Sequence, residues 1–493
     1  MATVPAYDWP RFDEFIDRTT ELDRLEAWWA ADERMPVNLY GRRRVGKSWL
    51  FRRFAHGKPA VLLVSERLAE GAQLTRFAEQ LTPLLGGVAP DLPDVPALFR
   101  VLFRLARASK VLVVIDEFPW LLGTTSTGVD RTLSAIQAVM EQERDRSQLK
   151  LVVCGSAVTQ MEALQAERNP LHGRLVPLEL RALPYRRASA FLGGDDDQER
   201  FVRFAVAGGM PRYLAALADG DLRARVCDQL LQPDAPLWNE GRTIVGQELR
   251  EPAVHFSVLE QLASGEKEVG ELANALRTTS GPVSKYLSTL ADLRLARKDL
   301  PYGASPTDRG SHWVLEDPFL RFWFRFVFPY QADLEAGLAP EDLFDSEVAP
   351  ELADHVAPVF EDLCREHVRT TMGDTATRVG RWWGNALDRL RRSGDRSTEE
   401  IDVVGTARKR VTLVGEVKWT TKPLGEKALR DLAEYKVPAL EQDGFRLAGE
   451  LITVLFSRSG YSPGVRSRAE DDDRLVLVDV NDMLSTPEEP LRE

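Results

Sequence analysis

The chain has 493 residues, 44% of them hydrophobic, with 64 Lys and Arg against 76 Asp and Glu, a net charge of −12. That length predicts roughly two to four domains of ordinary soluble globular composition. The acidic balance argues against nucleic-acid binding over the whole surface and confines any such contact to local basic patches.

Cys154, Cys227 and Cys364 are far apart and show no C-x-x-C spacing, which argues against structural zinc and suits a reducing compartment. Met1 to Trp9 lacks the basic and apolar regions of a signal peptide. No uncharged apolar run approaches the ~20 residues of a membrane span. The most apolar stretch, Phe319 to Tyr330, is short and broken by Arg321 and Arg325. The expectation is a cytoplasmic protein with no membrane partner.

In chain order, an amphipathic helix is expected over 13–31, then a strand at Val37-Asn38-Leu39-Tyr40. Gly41-Arg42-Arg43-Arg44-Val45-Gly46-Lys47-Ser48 follows and fits G-x-x-x-x-G-K-[ST], the Walker A phosphate loop. Glycines let the backbone turn sharply, so its N–H groups can wrap polyphosphate oxygens. Lys47 would reach the outer phosphates and the Ser48 hydroxyl would ligate Mg²⁺. The helix expected from Trp49 adds its N-terminal dipole to the anion site.

Val61 to Val64 reads as a second strand, with helices near 73–85 and 95–108. Val111-Leu112-Val113-Val114-Ile115-Asp116-Glu117 is a β-branched apolar run ending in two carboxylates, a buried parallel strand with a Walker B pair at its end. Asp116 would hold Mg²⁺ and Glu117 would polarise the attacking water. Leu151 to Ser156 is a further strand, whose terminal Ser156 would read the γ-phosphate. Arg174, before the strand Val176 to Leu180, is read either as a transition-state cation or as a surface arginine. Alternating strands and helices predict a parallel sheet covered on both faces. No Asn-Lys-x-Asp guanine reader is present, so ATP is the expected nucleotide.

From Phe201 the pattern is helical. Gly208-Gly209-Met210-Pro211 opens a helix, and 254–300 reads as a winged helix whose third helix starts at Pro282. Arg277, Lys285, Arg294, Arg297 and Lys298 make that segment basic, suited to DNA contact or to intramolecular packing alone. Asp317 to Phe326 is an aromatic packing helix.

The C-terminal quarter carries a second set of chemical groups. Glu361 lies on a helix, Asp402 on a short strand, and Glu416 and Lys418 two apart on the next strand, hence on one face. Two carboxylates and a lysine converging at a sheet suit Mg²⁺-dependent phosphodiester hydrolysis, with Asp402 and Glu416 as metal ligands and Glu361 completing the set. A solvent-facing strand of alternating charge is the competing reading. Over 378–396, Arg378, Arg381, Arg389, Arg391, Arg392 and Arg396 outnumber Asp388 and Asp395, with Trp382 and Trp383 interleaved. That suits nucleic-acid contact, or a charged loop balancing an acidic protein.

With these residues in place, the chain resembles the archaeal-ATPase family of the STAND/AAA+ group, whose members carry a C-terminal domain similar to PD-(D/E)xK nucleases. The stretches that carry the resemblance are Gly41 to Ser48, Ile115 to Glu117, Cys154 to Ser156, Gly208 to Pro211, Asp317 to Phe326, Gly380 to Trp383, Glu400 to Asp402 and Glu416 to Trp419. The resemblance implies that Pro211 packs near adenine and that Arg18 belongs to an entry motif, in which Asp17 stands where the family usually has glycine.

The expected fold class is α/β. It comprises a P-loop ATPase domain over 1–200, a helical lid over 201–250, a winged-helix domain with the aromatic helix over 251–335, and a restriction-endonuclease-like domain over 345–493. The expected function is an ATP-hydrolysing switch coupled to a DNA-cleaving centre, with ATP and Mg²⁺ as cofactors and DNA or further copies of itself as partners. The alternative is a non-catalytic, nucleotide-gated DNA-binding scaffold.

Overall fold

The computed structural model describes residues 4–123, 125–193, 196–249, 251–305, 310–393 and 397–485. The chain divides into two compact units, Met1–Leu183 with Met210–Arg212, and Pro184–Gly209 with Tyr213–Glu493.

The first unit is built on β1 (Val37–Tyr40), β2 (Ala60–Val64), β3 (Val111–Asp116), β4 (Leu149–Gly155) and β5 (Val176–Glu179). They form one parallel sheet in the order β2-β3-β4-β1-β5. Val111 to Ile115 of β3 are all essentially buried, as a strand covered on both faces requires. The helix Val95–Leu105 covers one face through Leu98, Phe99 and Leu102, which join Leu63, Val113 and Ile115 in the core. Asp94 starts that helix by accepting from the Ala97 N–H at 2.7 Å, a cap that contributes about 1 kcal/mol. The helix expected from residue 13 begins instead at Thr19 (α1, Thr19–Ala30). Asp17 and Arg18 both take positive φ, 60° and 67°, and a left-handed pair cannot continue a right-handed helix.

The second unit starts earlier than the expected boundary at residue 200. Tyr185 packs edge-on against Phe201 at 5.1 Å, and Phe201 contacts Phe360 at 5.7 Å and Trp419 at 5.2 Å. The helix Asp197–Ala207 is therefore tied to the C-terminal half by its aromatic face. Phe319 stacks on Tyr213 at 3.8 Å, and Phe319, Phe322 and Trp323 of the aromatic helix are fully buried.

Helices Pro252–Ala263, Val269–Ala275 and Ser280–Asp292 lead into an antiparallel hairpin of β6 (Ala296–Asp299) and β7 (His312–Leu315). Pro282 is the third residue of its helix and not the first, which is tolerated because first-turn N–H groups have no intrahelical acceptor.

The second sheet contains β8 (Arg378–Asn385), β9 (Thr398–Ala407), β10 (Arg410–Lys418), β11 (Leu447–Ser457) and β12 (Leu475–Asp479), in the order β12-β11-β10-β9-β8. β8, β9 and β10 pair antiparallel, whereas β11 runs parallel to both β10 and β12. Parallel neighbours need a crossover, supplied between β10 and β11 by helical turns over 426–442. Leu440 from that crossover joins Trp382, Ile401, Val404 and Val414 in the core on one face. No helix among the described residues is long and apolar enough to cross a membrane.

Candidate nucleotide site and acidic cluster

The strand order sets the first site. β4 lies between β1 and β3, so the loop after β1, the carboxylates after β3 and Ser156 after β4 meet at the C-terminal edge of one sheet. That edge is where open α/β sheets bind ligands.

The loop closes on itself. Arg44 and Gly46 take φ of 70° and 96°, and helix α2 (Lys47–Ala55) begins at once. A Cβ on Gly41 would collide with the Leu180 carbonyl oxygen, which explains glycine there. Lys47 is buried and its Nζ donates to the carbonyls of Gly41 at 2.7 Å and Arg42 at 3.1 Å. Val45 is fully buried, Arg43 half-buried and Arg44 exposed, so what the three offer a phosphate in common is backbone N–H.

Ser48 Oγ donates to Asp116 Oδ2 at 3.3 Å. A hydroxyl and a carboxylate so close are the donor set Mg²⁺ uses when phosphates and water fill its remaining positions. Asp116 Oδ1 accepts from the Glu117 N–H at 3.0 Å. Glu117 has φ 51°, and this left-handed turn sends its carboxylate to Ser156, whose Oγ donates to Oε1 at 2.9 Å and to Oε2 at 3.0 Å. The hydroxyl expected to read a phosphate thus holds the Glu117 carboxylate.

Arg18 completes this assembly. It is 5% exposed, and its Nη2 donates to the carbonyls of Val45 and Arg181, both at 2.8 Å, while Nη1 donates to Glu21 at 3.0 Å. The resemblance pointed to Arg18. Its role as a clamp on the loop rests on a contact 27 residues away that no local pattern encodes. The positive φ of Asp17 accounts for a glycine preference at that position. Pro211 lies against the loop, its Cγ 3.6 Å from where a Cβ on Gly46 would stand.

Arg174 is not brought to this site. Val176, just after it, is in register with Val37, so Arg174 lies at the opposite end of the sheet from the loop. Its Nε donates to Glu141 at 3.0 Å, which makes it a surface ion-pair partner.

The second constellation is assembled by the β9–β10 pairing and the helix Ala349–Thr371. Asp402 and Glu416 are both buried, and Asp402 Oδ2 accepts from the Val417 N–H at 2.8 Å. Lys418 Nζ stands 2.7 Å from Glu416 Oε1 and 3.8 Å from Asp402 Oδ2. Burial, and then the charge of Glu416, pushes Asp402 up to about 6. Burial, and then the charge of Asp402, pushes Glu361 up to about 7. Both shifts are led by burial, and the charge of Lys418 offsets part of the one on Asp402.

Lys436 joins the cluster from outside the expected set. Its Nζ lies 2.5 Å from Glu416 Oε2 and is delivered by the crossover helix 18 residues after Lys418. Among the described residues no three of His, Cys, Asp and Glu converge as a metal-holding group. Two carboxylates, Asp402 and Glu416, are enough for Mg²⁺, which keeps several waters.

The basic, aromatic segment after residue 378 is mostly committed elsewhere. Trp382 is fully buried, with its Nε1 donating to Asp443 at 3.0 Å, and Trp383 stacks on His312 at 5.0 Å. Arg381 is ringed by Glu266, Asp299 and Glu400. Neither Trp382 nor Arg381 is available to a nucleic acid; Asp395, Arg396 and the side chain of Arg392 lie outside the described residues.

Residues 15–217 match a family model described as an ATPase domain predominantly from Archaea. This part of the chain is an ATPase-type domain. Residues 323–432 match a second model, described as archaeal and bacterial proteins of unknown function. An uncharacterized protein of Methanocaldococcus jannaschii is 24% identical over 479 residues, covering 95% of this chain and 99% of its own length. An uncharacterized ATP-binding protein of the same organism is 43% identical over 44 residues, 9% of this chain and 75% of its own. Among solved structures, the Walker-type ATPase of Pyrococcus abyssi has a TM-score of 0.49 at 19% identity and covers 65% of this chain and 98% of its own. The ORC2 protein of Aeropyrum pernix, solved with ADPNP and ADP, has a TM-score of 0.43 at 15% identity and covers 69% of this chain and 99% of its own.

Proposed function

We propose that the protein is an ATP-hydrolysing switch whose second unit carries a Mg²⁺-dependent, DNA-cleaving centre. The observation that carries the nuclease half is the convergence of Asp402, Glu416 and Lys418 on one patch of the second sheet. Asp402 and Glu416 would hold Mg²⁺ there, and Ser48 and Asp116 would hold it beside ATP. The metal, when bound, supplies charge neutralisation and an acidified water. Lys418 would meet a phosphate oxygen, and Glu117 would orient the water attacking ATP. Lys47 would exchange its loop carbonyls for phosphate oxygens.

The three helices and hairpin over 252–315 support a winged-helix reading, with exposed Arg277 and Lys285 available to a DNA backbone. A non-catalytic DNA-binding scaffold is favoured by one observation: Lys418 and Lys436 together already neutralise Glu416. Incubating the purified chain with plasmid and Mg²⁺, with and without ATP, separates the two readings. Cleavage that disappears in Glu416→Ala and Lys418→Ala supports the nuclease. Plasmid retention with no cleavage under any nucleotide or divalent metal supports the scaffold.

A further inference from the structure

A cavity of about 620 Å³ opens in the second unit between the loop after β6, the helix Ala349–Thr371 and the start of β8. Its volume is that of a small-molecule site. Five arginines line it, against three carboxylates. In a protein with a net charge of −12, this is a local reversal of sign.

The charges are not equivalent. Asp362 takes both Arg297, at 2.8 Å, and Arg365, at 2.7 Å. Arg381 is occupied by the acids around it, Asp299 among them. Among the described residues, Arg369 and Arg378 make no ion pair. Arg369 makes one long hydrogen bond, 3.3 Å to the Val379 carbonyl, and the Arg378 guanidinium stands 5.8 Å from the Tyr302 ring. Both are exposed at the cavity rim.

The walls are fixed in advance. The Tyr302 N–H donates to the Arg381 carbonyl at 2.8 Å, and its hydroxyl meets Thr406 Oγ1 at 2.5 Å. A Cβ on Gly380 would run into the Tyr302 ring, so glycine lets the ring lie flat on β8. Leu300 and Pro301 supply an apolar side to the same space. A cavity with two guanidiniums outside the ion pairs at one side, one of them under the charge of Glu366, and an apolar wall at another matches an anionic head carrying an organic body.

We propose that this cavity binds a phosphate-bearing small molecule of nucleotide size, with Arg369 and Arg378 holding the phosphate. The site is separate from the Lys47 loop and does not depend on nuclease activity. Arg365, which helps line it, also donates to the Asp402 carbonyl at 2.9 Å, so the ligand would sit one side chain away from the acidic cluster.

The test uses the full chain carrying Lys47→Ala, which removes the lysine of the phosphate loop, and titrates it calorimetrically with pyrophosphate. One site per chain is expected, weakened at least tenfold when Arg369→Gln and Arg378→Gln are added. Circular dichroism must show that the added substitutions leave the fold intact. No pyrophosphate binding to the Lys47→Ala chain, or equal affinity after the arginine substitutions, overturns the proposal. A short DNA oligonucleotide is titrated in parallel. If the oligonucleotide alone binds, and the same substitutions abolish it, the groove is a strand contact and the small-molecule assignment is wrong.

Discussion

Replacing Arg18 with alanine tests whether the phosphate loop is held from outside. The guanidinium is 5% exposed and donates to two backbone carbonyls at 2.8 Å, one in the loop itself. A hydrogen bond from a charged donor contributes about 1.5–3 kcal/mol, and a buried acceptor left without its donor carries a similar cost. Arg18→Ala should therefore destabilise the closed loop by about 1.5–3 kcal/mol through Val45 alone. At about 1.4 kcal/mol per tenfold, ATP affinity should fall roughly ten- to hundredfold. Arg18→Lys, a point charge able to serve one carbonyl well, should fall between the two. Titration with a fluorescent ATP analogue measures the effect, with a thermal melt confirming the fold. A folded Arg18→Ala chain that binds ATP within twofold of the parent refutes the clamp.

Gly41→Ala should abolish nucleotide binding and lower the melting temperature, because its Cβ collides with the Leu180 carbonyl; an unchanged melt and affinity would contradict this geometry. His355 is fully buried, its Nε2 bonded to the Ala205 carbonyl at 2.9 Å, and burial together with Arg321 and Arg325 holds its pKa well below 6.5. Its neutral form therefore supports the fold above pH ~6.5, and stability falls as pH drops below that value, by about 1.4 kcal/mol per pH unit. Urea midpoints for the parent and His355→Gln at pH 7 and 5.5 should converge as pH falls; parallel lines would show that His355 does not titrate on unfolding. Lys47→Ala should lose ATP binding and alter the plasmid activity of the chain while leaving Asp402, Glu416 and Lys418 intact. Loss of ATP binding with unchanged plasmid activity would sever the switch from the effector.

The sheet of the first unit was legible because β3 and the Leu151–Cys154 part of β4 are apolar runs with polar groups just beyond them, and buried parallel strands demand that pattern. The loop was legible because Gly41, Gly46 and Lys47 have backbone and charge roles that few other residues can fill. Local pattern fails where a partner comes from far along the chain. Trp382 sits among arginines, which suits a nucleic-acid platform, yet in β8 its indole is fully buried in the core of the second sheet. Lys436 carries no local signal at all, since it reaches Glu416 through the crossover. Of the two readings of Arg174 the structure matches the surface arginine, because the residue precedes the start of β5 and the phosphate loop lies at the strands' other end.

The double engagement of Asp362 has a genetic consequence. One carboxylate answers two arginines from two elements, Arg297 on β6 and Arg365 on the long helix. A chain that loses it keeps two guanidiniums without the carboxylate they share. In a selection for revertants, second-site suppressors of Asp362→Asn should cluster at Arg297 and Arg365, where dropping one positive charge restores the net charge of the original trio. Substitutions on the opposite faces of those elements should not appear.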